Sequence, residues 1–94
     1  MISFTQRIAI PENVLVRELD GESVLLNLDT ERYHGLDEAG TGFWRALSET
    51  GSIQAAYDRL LAEYEVAPET LRGDLERLIG ELVAQGLIAL EPAE

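Results

Sequence analysis

The chain predicts an α+β domain in which a three-stranded antiparallel sheet precedes three α-helices. Three observations carry this prediction. Residues 14–36 hold short β-rich segments separated by turn signals, apolar residues then recur at helical spacing over 53–64 and 68–83, and capping residues separate the helical segments. Strands followed by helices, rather than alternating with them, favour helices packed on one face of a small antiparallel sheet.

The elements follow in order. "VLVREL" (14–19) runs into Asp20-Gly21, a hairpin signal, and then into "SVLLNL" (23–28). "DTER" (29–32) is the next turn, with Asp29 suited to bond its own backbone two residues on. A last strand, "RYHGL", covers 32–36. A loop of two residues and one of three are both compatible with residues 28–33, and a one-residue slip would exchange the faces of every side chain. Asp37 caps a helix to about Ser48 that places Ala39, Phe43, Trp44 and Leu47 on one face. Gly40 and Gly42 weaken that helix by up to about 1 kcal/mol each, which points to close backbone packing. Gly51 stops it in the left-handed region, and Ser52 caps the next.

Ile53, Ala56, Tyr57, Leu60, Leu61 and Tyr64 form the clearest helical stripe. Pro68 opens a third helix carrying Leu71, Leu75, Leu78, Ile79, Leu82 and Val83, and Gly86 ends it so that Leu87 and Ile88 fold back. The tail "EPAE" (91–94) is expected to fray. Short turns at "ETGS" and "EVAP" give the helical half a helix-turn-helix layout, so the whole is winged helix-turn-helix-like.

Ninety-four residues, 46% of them apolar, make a single globular domain, 1–94. There is no cysteine, which excludes disulfides and thiolate chemistry and fits a reducing compartment. The opening "MISFTQRIAIPEN" lacks a basic segment followed by a long apolar run, and no stretch approaches a membrane span. A cytoplasmic protein without a membrane partner is expected. Eighteen acidic residues face seven arginines, for a net charge of −11, and this opposes nucleic acid as a partner. The DNA-reading alternative, a transcription regulator, would use residues 68–85 as its recognition helix. That helix sets Glu69, Asp74, Glu76 and Glu81 against Arg72 and Arg77 only.

Catalytic signals are missing. His34 is the single histidine and cannot anchor a standard zinc site without cysteine; it reads as a strand surface residue. None of the serines stands in a nucleophile motif, and "GTG" (40–42) has no Walker lysine beside it. No enzyme, cofactor or metal is expected.

"LLNLDTERYHGLDEAGTGFWRAL" (25–47) followed by "AAYDRLLAEYEVAPETLRGDLERLIGELVAQGLI" (55–88) resembles the PqqD-like family. These are stand-alone recognition elements for the leader peptides of ribosomally made natural products, as in lasso peptide or radical-SAM pathways. The likeness covers about residues 14–90 and is not specifically to members serving pyrroloquinoline quinone synthesis. Glu31 departs from it, since glycine often ends that turn in the family. The resemblance implies a non-catalytic adaptor that delivers a precursor peptide to a separate modifying enzyme or leader protease. The leader would add as a strand beside residues 32–36 and pack against the third helix. Carried onto this sequence, the peptide site is Arg32, Tyr33, His34, Gly35, Leu71, Asp74, Leu75 and Leu78. The three leucines suit a helix core equally well. A protein-interaction module with another client is the further alternative.

Overall fold

The computed structural model describes residues 2–92. Its elements are β1 (Arg7–Ala9), β2 (Val14–Leu19), β3 (Glu22–Asn27), β4 (Arg32–Leu36), α1 (Glu38–Thr50), α2 (Ile53–Glu63), α3 (Pro68–Ala84) and β5 (Ala89–Glu91). The fold is α+β, and the described residues hold three helices and two antiparallel sheets, β2-β3-β4 and β1-β5.

The second sheet corrects the sequence reading. β1 pairs with β5 through Arg7↔Glu91, Ile8↔Leu90 and Ala9↔Ala89, so Glu91 is a strand residue and not part of a frayed tail. Residues 93–94 of that tail lie outside the described residues. Strands of three residues are too short to leave a readable alternation. Their pairing depends on the reversal at Gly86 (φ 70°), which brings the chain end back to its start.

The β2–β3 hairpin closes through Asp20 and Gly21, both at positive φ (54° and 84°), the two-residue turn whose twist suits antiparallel strands. The β3–β4 turn differs from expectation. Asn27 pairs with Arg32, leaving a four-residue loop, 28–31, with Glu31 in the left-handed region at φ 60°. Asn27, not Asp29, organises this turn. Its Oδ1 accepts from the backbone N–H of Asp29 at 3.0 Å, while its Nδ2 donates to the carbonyl of Gln85 at 3.1 Å. The Asp29 carboxylate instead accepts from Asn13 Nδ2 at 2.8 Å. One buried amide thus ties the hairpin to the end of α3, and β3 starts and stops one residue earlier than predicted.

The helix boundaries follow their caps. The Asp37 carboxylate accepts from the Gly40 N–H at 2.8 Å, and Gly51 ends α1 at φ 65°. Ser52 Oγ accepts from Ala55 N–H to start α2, and Pro68 opens α3. Trp44 and Leu47 of α1, Ile53 and Leu60 of α2, and Leu71, Leu75, Ile79 and Leu82 of α3 enclose Leu25 and Leu36 from the sheet. Truncating any of these leucines to alanine costs about 2–5 kcal/mol. Ser23 and Thr41 bring two hydroxyls within 2.8 Å inside this core, joining β3 to α1 without an unpaired buried group. Among the described residues no helix is long and apolar enough to cross a membrane.

Candidate functional site

β4 is a sheet edge: in the order β2-β3-β4 it pairs with β3 alone among the described residues. Alternate residues of such a strand direct N–H and C=O groups away from the sheet, a template for another extended chain. α3 stands beside this edge, and the gap between them is a groove of about 450 Å³.

The groove is built from three elements. β4 contributes His34, Gly35 and Leu36. The Asp37 cap starts α1 immediately after β4, so Ala39, Gly40 and Phe43 form the floor. A Cβ at Gly40 would lie 3.2 Å from both Leu36 Cδ2 and Asp37 Oδ1, so glycine lets the helix start press onto the strand end. Asp74, Arg77, Leu78 and Glu81 of α3 make the wall. Leu78 is half-buried and reaches both groove and core. Arg77 Nη2 donates to Asp74 Oδ1 at 3.0 Å. His34, with 19% of its side chain exposed, lies 3.1 Å through Nδ1 from Gln85 Nε2 and 3.9 Å through Nε2 from Glu81.

Of the eight expected site residues, the structure brings His34, Gly35, Asp74 and Leu78 together. Arg32 lies further along the same gap, beside Ala84 and Gln85. The other three are placed elsewhere. Leu71 and Leu75 are 1% and 0% exposed, because with Ile79 and Leu82 they form the inner stripe of α3 and are consumed by the core. Tyr33 lies on the opposite face of the sheet from Leu36 and is 74% exposed. The alternation of a strand forbids neighbours from sharing a face. Tyr33 instead borders a mostly apolar depression with Leu15, Val24 and Leu26.

Sequence reasoning missed Phe43, Arg77 and Glu81. A signal was present: Asp74, Leu78, Glu81 and Gln85 recur at i, i+4, i+7 and i+11 beside the leucine stripe. The sequence reading took Asp74 and Leu78 from that stripe and left out Glu81, a charged residue that suits a solvated helix face equally well.

Comparison with known proteins meets this geometry. The fold matches that of "TbiB1 in Complex with the TbiA(beta) Leader Peptide" with a TM-score of 0.78 and 34% identity, over 84% of this chain and 92% of that one. It also matches "Lasso peptide synthetase B1 complexed with the leader peptide" with a TM-score of 0.77, over 88% of this chain and 98% of the other, where 22% identity speaks for the fold alone. No curated protein sequence matches. The family described as "Coenzyme PQQ synthesis protein D (PqqD)" matches residues 22–88, which span the open hairpin, the groove and all three helices, and the chain belongs to that PqqD family.

Proposed function

We propose that this protein is a non-catalytic adaptor that binds the leader segment of a ribosomally made precursor peptide and delivers it to a separate modifying enzyme or leader protease. The observation that carries the reading is the unpaired β4 edge facing α3 across an open groove, in a fold shared at 34% identity with a leader-peptide complex. Main-chain pairing along residues 32–36 supplies affinity with little demand on sequence, and side chains in the groove supply selection. The layout is winged helix-turn-helix-like, with α3 where a DNA reader would carry its recognition helix.

The charges on α3 argue against that use. Arg72 is turned onto the Phe4 ring, 4.0 Å from its centroid, and pairs with Glu76, while Arg77 is held by Asp74. Phosphate neutralisation, which supplies most non-specific DNA affinity, has no basic face to work with.

The test is calorimetric titration with the leader segment of a precursor encoded beside this gene. Wild type binds, and amides of residues 32–36 gain exchange protection in the complex. Proline at His34 or at Gly35 removes a strand donor, and whichever amide points outward loses affinity at least tenfold with the fold retained by thermal melting. Two folded proline variants with wild-type affinity would overturn strand addition. A steeply salt-dependent gel shift on duplex DNA would instead favour the regulator.

A further inference from the structure

Strand pairing is blind to sequence, so the groove side chains must decide which peptides are kept. Their charge is one-sided. Asp37, Asp74 and Glu81 line this stretch of the groove against Arg77, with Arg32 further along the gap, and the Arg77 guanidinium is engaged by Asp74 with 70% of its side chain exposed. Glu81 makes no salt bridge to an arginine among the described residues; the nearest basic nitrogen is His34 Nε2 at 3.9 Å.

Spacing sharpens the point. Asp74 and Glu81 flank Leu78 by four and three residues, or about 6 Å and 4.5 Å along the helix axis. An extended peptide presents a side chain to the same face every second residue, about 6.7 Å apart. A peptide with an apolar side chain against Leu78 and Phe43 therefore sets its next inward side chains close to the two carboxylates. Both lie within reach of a lysine or arginine stem.

We propose that the groove selects a leader whose apolar anchor is flanked, two residues away on one or both sides, by lysine or arginine, with Glu81 and Asp74 as the selecting groups. The proposal rests on the adaptor reading and names the chemistry of its client. The net charge of −11 adds long-range attraction for the same class of peptide, strongest at low salt.

The probe is the leader used above, made in three versions with lysine, serine or glutamate at the two positions flanking its central apolar residue. Fluorescence anisotropy is read in about 50 mM and about 500 mM salt, against wild type and the Asp74→Asn/Glu81→Gln double variant. Both substitutions keep the shape and one acceptor oxygen of each side chain, so folding should persist. The expected order is lysine over serine over glutamate, with at least a tenfold span at low salt that contracts severalfold at high salt and in the double variant. Equal affinities, or a preference for glutamate, overturn the proposal while leaving the adaptor reading intact. So does a lysine preference that survives unchanged in the double variant, since attraction would then come from the surface at large. Failure of every version to bind removes both.

Discussion

Gln85 Nε2 donates to His34 Nδ1 across 3.1 Å, linking the end of α3 to the middle of the open strand. Glu81, one turn earlier on α3, lies 3.9 Å from the other ring nitrogen, so the His34 side chain sits against the helix at the groove. Gln85→Ala should lose about 0.5–1.5 kcal/mol of stability, the usual worth of one intramolecular hydrogen bond. Urea denaturation at neutral pH measures it, and an unchanged midpoint would show that the contact contributes nothing.

Gly42 and Tyr64 form a coupled pair. A Cβ built on Gly42 would overlap the Tyr64 hydroxyl, while the ring carbon bearing that hydroxyl would lie at 3.4 Å. Gly42→Ala should therefore be costly beside tyrosine and tolerated beside phenylalanine. A double-mutant cycle with Tyr64→Phe is expected to return a coupling of about 1 kcal/mol. Additive effects would mean that Tyr64 simply swings aside.

Gly73 and Gly80 behave oppositely. Both lie inside α3 on its exposed side, and an added Cβ meets nothing within 4 Å. Each change to alanine should raise stability by about 0.5–1 kcal/mol through helix propensity and a less mobile unfolded chain. Thermal melts of the single and double variants check this. Destabilisation would reveal a constraint on the helix backbone that open space does not disclose.

Acid should act through Glu18. Arg45 Nε and Nη2 donate to its carboxylate at 2.8 and 3.0 Å, joining β2 to α1, and this hydrogen-bonded pairing holds the Glu18 carboxyl below the ordinary range. A depressed carboxyl stabilises the fold fully above its unfolded value, about 4.3, and loses that contribution as pH falls through the lower folded value. The stability gap between wild type and Glu18→Gln should be constant near neutrality and close below about pH 4. Parallel denaturation curves from pH 7 to pH 3 give the comparison. A gap that widens with acid contradicts the assignment.

Much of the fold was legible because its signals are local. Asp37, Gly51, Ser52, Pro68 and Gly86 each fix a boundary through their own backbone or side-chain chemistry, and the leucine stripes mark the buried helix faces. The β1–β5 ladder was not legible, since three-residue strands acquire meaning only through a partner some eighty residues away. The site was half legible. β4 could be read as an edge strand beside α3, yet the side chains that face the gap depend on the register set by Asn27 and the left-handed Glu31. That register turns Tyr33 outward and His34 inward, and burial claims Leu71 and Leu75.

The unpaired β4 edge also bears on how copies of this protein behave toward one another. Every molecule in solution displays the same template, and β2 bounds the other side of the sheet with Leu15, Val16 and Leu19 exposed. Identical edges brought together are the usual start of aggregation. Here each approach sets two strongly negative bodies against each other, so the charge of −11 acts as a colloidal barrier around the open edge. The barrier fails when the carboxylates take up protons. Near pH 4, concentrated protein should gain light scattering and β-sheet signal, and a saturating basic strand seated on β4 should suppress both.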